Sequence, residues 1–296
     1  MTITLAATLG LACTLLIGLT WRARMWRARP NGARARRGLH RPGRANVRAM
    51  TTQISPALRS ELAPSGTLRV GVNHQNFLLV TPGSSTTDPR GVAPDLGREL
   101  GRRLGVPVAF VSFDAAGKLA DGVRTGAWDV AFLGAEPQRA AEIAFTAAYL
   151  EIPATYLVPA GSPIRSIADV DRAGVRIAVA EKSAFDLWLQ RNIQHARLVH
   201  ASGLDASLDL FLEDKLDVLS GLRPKLLMDV QKLPGARVLD GQFMAVQQAI
   251  GTPKAREAGA GYLRAFVEDA KVSGLVAELI RSNGVQGVSV APPSSR

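Results

Sequence analysis

Cysteine is almost absent. The single thiol, Cys13, rules out an intrachain disulfide and, lying in an apolar leader, leaves no thiol for chemistry in the rest of the chain. Acidic residues are missing from residues 1–49 altogether. That stretch carries ten Arg between Arg22 and Arg48, so ten of the eleven net positive charges sit there and +1 is left for residues 50–296. The main body is near neutral, and no nucleic-acid partner is expected. Several catalytic signatures are also missing. Gly71 is followed by Val-Asn-His, so no dinucleotide loop follows the first strand. There is no phosphate loop, no HExxH and no nucleophile elbow, and His40, His74, His195 and His200 lack metal-ligand spacing. No cofactor and no metal are expected.

What is present is a globular composition. Apolar residues make up 47% and charged residues 21%, and 296 residues suffice for two α/β units with a buried core. Residues 1–21 are uncharged and long enough to span a bilayer. As a secretory signal they lack a basic start. As an anchor they would place everything after the Arg run in the cytoplasm. Gly10-Leu11-Ala12-Cys13 only loosely resembles a lipoprotein box. The acid-free Arg, Gly, Ala and Pro composition of 22–48 favours a third reading, a true start at Met25 or Met50. Residues 22–60 are expected to form a basic, disordered linker.

From residue 66 the pattern is β-α-β. Strands are expected at 68–72, 108–113 and 128–133, with helices at 91–104 and 115–125. Leu96, Leu100 and Leu104 share one helical face, and Pro94 and Gly105 bracket it. A second series follows: strands at 154–158, 175–180, 197–200, 216–219 and 243–250, a helical turn at 167–170, and helices at 183–192 and 207–213. Thr252-Pro253 reads as a helix start, with a run to about 272 and a last helix from Ser273 to near Gly284. Alternation predicts mainly parallel sheets covered on both faces, and the chain crosses from one α/β unit to the other and back.

In such sheets ligands bind beyond the carboxyl ends of the strands. The polar residues there are Asn73 and Asn76, with Phe77 beside them; Gly134, Glu136 and Arg139; Glu181, Lys182 and Ser183; and Arg223. Each has a plainer reading. Arg139 fits a solvated turn as well as a bidentate carboxylate site. Ser183-Ala-Phe-Asp186 is a capping pattern, although a capped helix start also binds anions. Phe77 suits the core as well as a stacking platform. Asn73 and Asn76 suit turns, and Glu136 and Glu181 suit the surface.

Five segments occur in one order: Leu68-Arg-Val-Gly-Val-Asn73, Gly91-Val-Ala-Pro-Asp95-Leu96, Trp128-Asp129-Val130, Glu136-Pro-Gln-Arg139 with Phe145-Thr-Ala-Ala-Tyr149, and Ser183-Ala-Phe-Asp186-Leu187. The set resembles the family 3 solute-binding proteins of polar amino-acid ABC transporters. The resemblance implies the type 2 periplasmic-binding-protein fold, in which two Rossmann-like α/β lobes joined by a two-strand hinge close on a ligand. It places the crossings near 156–159 and 244–249, one lobe at 66–155 and 245–290, and the other at 160–240. By the same resemblance Arg139 binds the ligand carboxylate, Ser183 and Ala184 contact it, with Phe185 in the same turn, and Phe77 is the nearest aromatic for stacking. The implied partner is an ABC permease, the implied location periplasmic or membrane-tethered, and the default state a monomer.

Two features depart from the family pattern. The segment between Trp128 and Arg139 is short. Leu222 or Arg223 stands where amino-acid binders place an Asp for the α-ammonium, and an unpaired ammonium is costly to bury. Arg223 would suit a second anionic group. Two other functions compete with binding. A dehydratase of prephenate-like acids on this scaffold would use Glu136 or Glu181 as proton donor. A cytosolic sensor would follow from a start at Met50.

Overall fold

Eight strands of the computed structural model run edge to edge in the order β2 (Val108–Phe113), β1 (Leu68–Asn73), β3 (Val130–Gly134), β10 (Met244–Pro253), β5 (Leu150–Val158), β8 (Val218–Leu222), β6 (Arg176–Ala180) and β7 (Arg197–Ala201), with three short strands attached. The structure describes residues 54–81, 83 and 88–294. The expectations for residues 1–53, the start at Met25 or Met50 and most of the linker among them, lie outside them.

The first element corrects the linker boundary. Residues 56–62 form helix α1 (Pro56–Leu62), capped by Ser55, whose hydroxyl accepts from the Leu58 N–H, with Pro56 in the first turn. Leu58 and Leu62 are buried, and Glu61 accepts the Gly259 N–H at 2.7 Å. The helix is therefore part of the core.

β1 (Leu68–Asn73) pairs in parallel with β2 (Val108–Phe113) and β3 (Val130–Gly134). Helix α2 (Val92–Leu104) buries Leu96, Leu100 and Leu104 on the expected face and ends at Gly105 in the left-handed region. α3 (Ala116–Asp121) is short, and Trp128 is fully buried with its indole N–H bonded to the Leu119 carbonyl at 2.8 Å. Asp129 has no exposed surface. It takes two hydrogen bonds from the Arg69 guanidinium, at 3.0 and 2.8 Å, and one from Arg256 at 2.9 Å. Burial pushes this carboxyl up, but the bonds from Arg69 and Arg256 outweigh it and hold it below the usual carboxylate range.

β4 (Ile143–Phe145) and β5 (Leu150–Val158) follow. The second half contains β6 (Arg176–Ala180), α4 (Ala184–Asn192), β7 (Arg197–Ala201), α5 (Leu204–Glu213), β8 (Val218–Leu222), α6 (Arg223–Asp229) and β9 (Arg237–Val238). β6 pairs in parallel with β7 and β8. β10 (Met244–Pro253) then returns between β3 and β5, antiparallel to both. α7 (Glu257–Val272), α8 (Leu275–Ser282) and β11 (Ser289–Val290) follow, with α7 packed back on α1.

The expected helix start at Thr252-Pro253 is a strand end instead. Thr252 is buried, donates its hydroxyl to the Asp129 carbonyl at 2.9 Å, and pairs with Ala144 of β4. Tertiary pairing overrides the local cap signal, and α7 begins four residues later. Pro253 suits a strand terminus because it brings no N–H to leave unpaired.

β5 changes partners along its length. Leu150 and Glu151 pair with β11, and Ala154 to Leu157 pair with β8. Together β5 and β10 are the two strands that join the halves, and the fold is the two-lobed α/β arrangement expected from the sequence.

Candidate functional site

The ends of β1 and β3, the start of α4 and the inner face of β10 converge on a cavity of about 60 Å³ between the lobes. Asn73, Asn76, Gly134, Arg139, Ser183, Ala184 and Phe185 line it. Seven of the ten candidates are thus brought together, four from the ends of lobe-one strands and the segments after them and three from the N-cap and first turn of a lobe-two helix.

Arg139 is 7% exposed and spans the two lobes. Its Nη1 donates to the Gly134 carbonyl at 2.6 Å and its Nη2 to the Lys182 carbonyl at 2.8 Å. Burial pushes the guanidinium down from 12.5 to about 10, against the opposing pull of Glu136 and Asp121. It stays cationic at neutral pH. Among the described residues no carboxylate lies within ion-pair distance of it. A guanidinium has five N–H donors, so two bonds leave three without protein acceptors. A buried, unpaired cation is expensive to keep.

The surroundings are equally rich in unused polarity. Ser183 caps α4, its hydroxyl accepting the Asp186 N–H at 3.0 Å. The N–H groups of Ala184 and Phe185, in the first helical turn, have no intrahelical acceptors, and both residues line the same space. The Asn76 Oδ1 is buried without a hydrogen-bond partner. Gln248 is 5% exposed, lines the cavity, and its carboxamide has no partner among the described residues. Sequence reasoning missed Gln248. The signal was there: Val246, Gln248 and Ile250 alternate along β10, so the glutamine must face inward with two aliphatic neighbours. Gln75 was missed too; its Oε1 accepts the Leu204 N–H across the cleft at 3.2 Å. Among the described residues the one acid that lines the cavity is Glu181, from an exposed position. Leu222 lines it where an Asp was sought.

Three candidates lie elsewhere. Glu136 is buried but turned away from the cavity, its carboxylate 2.6 Å from the Arg191 Nη2 of α4. Phe77 and Arg223 line a different hollow. Arg223 donates to the Leu239 carbonyl at 2.8 Å.

The lobes are shut. A Cβ on Gly134 would stand 2.8 Å from the Ala184 Cβ, so only glycine permits this approach. Glu136–Arg191, Asp121–Lys182 at 3.1 Å, and Gln138 with Leu187 and Arg191 bridge the cleft. Small-molecule sites run to about 300–1,000 Å³. The lobes must therefore part to admit a solute. Among the described residues no group of His, Cys, Asp and Glu could hold a metal ion.

Comparison with known proteins agrees with this geometry. No curated protein sequence matches the chain. The solved structure of the solute receptors for L-cysteine of Neisseria gonorrhoeae aligns with a TM-score of 0.65 at 17% identity, covering 79% of this chain and 96% of that one. A mutant of ArgBP from T. maritima aligns at 0.64 and 19% identity, over 77% and 99%. An ancestral amino acid-binding protein, a precursor of cyclohexadienyl dehydratase, aligns at 0.62 and 19%, over 76% and 98%. At such identities the likeness establishes the fold. The family described as bacterial extracellular solute-binding proteins, family 3, matches residues 68–283. The chain belongs to this family and is a solute-binding protein, not an enzyme.

Proposed function

We propose that the protein closes around a small, carboxylate-bearing, amino-acid-like solute and presents it to the permease of an ABC transporter. The unpaired, buried Arg139 guanidinium carries this reading. A carboxylate placed against it and against the α4 N–H groups would neutralise the charge and take up the idle donors. The Asn76 and Gln248 carboxamides suit the remaining polar atoms of such a solute. Relatives of this fold are described with L-cysteine and with amino acids. An α-ammonium would meet Glu181 at the rim, since Leu222 offers it nothing.

Lobes of residues 66–155 with 245–290, and of 160–240, would swing about β5 and β10. A periplasmic or membrane-tethered location follows from an extracellular family. Among the described residues no helix is long and apolar enough to cross a membrane. A dehydratase is disfavoured because Glu136 is committed to Arg191 and Glu181 is exposed.

The test is thermal unfolding of residues 50–296 against amino acids, dicarboxylates, opines and prephenate, beside Arg139→Ala. A ligand at a hundred times its dissociation constant adds about 2.7 kcal/mol, a shift of about 2–4 °C per kcal/mol for a chain this size. A shift in the wild type alone supports the reading. An equal shift in both proteins overturns the placement of the site, and no shift with any compound overturns the ligand class.

A further inference from the structure

A second hollow, of about 610 Å³, lies beside β5. It is ten times the volume of the cavity at Arg139 and within the usual size range of small-molecule sites. Its position follows from the sheet. Ile152 and Pro153 occupy the stretch of β5 between the residues paired with β11 and those paired with β8. On that edge the lobes leave a gap. Phe77 and Val285 wall it from one lobe, and Arg223, Pro224, Leu227 and Met228 wall it from the other.

Two of these walls are apolar side chains left in water. Leu227 is 45% exposed and Met228 55%, on the one helix, α6. Among the described residues the hollow has one charged lining side chain, Arg223, which is 29% exposed, and no Asp, Glu or Lys. Two backbone carbonyls, of Leu239 and Gly241, take the Arg223 Nη1. The nearest acid, Asp240, is fully exposed at 4.0 Å, a distance and exposure at which an ion pair is worth little. The walls are mainly apolar, with Thr81, Asn283 and Gln286 as neutral polar members and one weakly paired guanidinium, and they complement an apolar body carrying one negative group.

We propose that this hollow is a second ligand site, taking a small aromatic monocarboxylate. The ring lies against Phe77, Leu227 and Met228, and the carboxylate meets Arg223.

The experiment is isothermal titration of the purified protein with naphthoate and with neutral naphthalenemethanol. Saturable binding of one naphthoate per chain is expected. Leu227→Asp, at a half-exposed position, weakens both compounds by about tenfold or more, the effect of a charge in an apolar wall. Arg223→Gln weakens naphthoate and leaves naphthalenemethanol within about twofold. Arg139→Ala changes neither, which separates this site from the cleft: failure of the cleft proposal leaves these titrations untouched. Three results overturn the proposal. One is no saturable binding. The second is naphthoate binding lost in Arg139→Ala and kept in Leu227→Asp. The third is a dimer in sedimentation that Leu227→Asp dissolves, which would assign the face to a second copy of the chain.

Discussion

Removing the Arg139 charge should leave the ligand-free protein no less stable. Ordinarily, truncating a buried large side chain costs about 2–5 kcal/mol. Arg139 is different because its folded environment works against its own charge. A guanidinium pushed from 12.5 to about 10 by burial costs the fold about 3 kcal/mol at neutral pH, at roughly 1.4 kcal/mol per tenfold change in proton affinity. Its two hydrogen bonds to the Gly134 and Lys182 carbonyls return about 1 kcal/mol each. Arg139→Met, which keeps the volume and drops the charge, should therefore change stability by between zero and about +1 kcal/mol. Chemical denaturation without ligand reads this directly. The same variant should lose the whole stabilisation by a bound carboxylate. A ligand-free loss of more than about 2 kcal/mol would refute the reasoning. It would mean that the guanidinium is a structural strut between the lobes, with its charge compensated by the protein, and the case for an anionic ligand would fall.

Other expectations follow from the same contacts. Glu136→Gln frees Arg191, so the unliganded lobes should open more and the radius of gyration by small-angle scattering should rise; the stability cost is about 1–2 kcal/mol, and an unchanged radius would remove this pair from the closing contacts. Asp129→Asn should cost about 3–5 kcal/mol at pH 7, because Arg69 and Arg256 lose a buried partner. Its carboxyl is depressed in the fold, so its contribution is present above the unfolded value near 3.8 and disappears as pH falls through the folded value; the two proteins should converge in denaturation midpoint in acid. Gly134→Ala places a Cβ 2.8 Å from Ala184 and 3.0 Å from Val246. Closure should then cost about 1–3 kcal/mol, seen as a tenfold or greater loss of solute affinity by titration, and unaltered affinity would put the solute elsewhere.

Much of the fold was legible because its signals were periodic. Leu96, Leu100 and Leu104 announced α2, and the unbroken apolar runs announced the inner strands. Where local chemistry met a tertiary competitor, reading failed. Thr252-Pro253 carries a helix-start pattern, yet pairing with β4 holds it extended. α1 failed for another reason. Ser55-Pro56 and the Leu58, Leu62 spacing were readable, but they adjoin an Arg-rich stretch whose composition dominated the view. The site divides in the same way. Arg139, Gly134 and the Ser183 turn lie where strands end, and strand ends can be counted. Phe77 sits next to Asn76 in sequence, yet the two line different hollows, because the direction of a loop side chain has no period to follow. Gln75 reaches a backbone N–H of the opposite lobe, a contact that exists only once the lobes meet.

The place of β10 has a consequence for synthesis. It lies between β3 and β5, so the edge of β3 waits for a partner made about 110 residues later, between Gly134 and Met244. At about 5–20 residues per second, the ribosome leaves that edge bare for roughly 5–20 s. All five residues of β3 are buried in the finished molecule, so the bare strand is apolar as well as unpaired, a combination that invites pairing between chains. The nascent protein therefore passes through a window in which one lobe still lacks β10 and the helices α7 and α8 that follow it, and a holdase would have most to protect there.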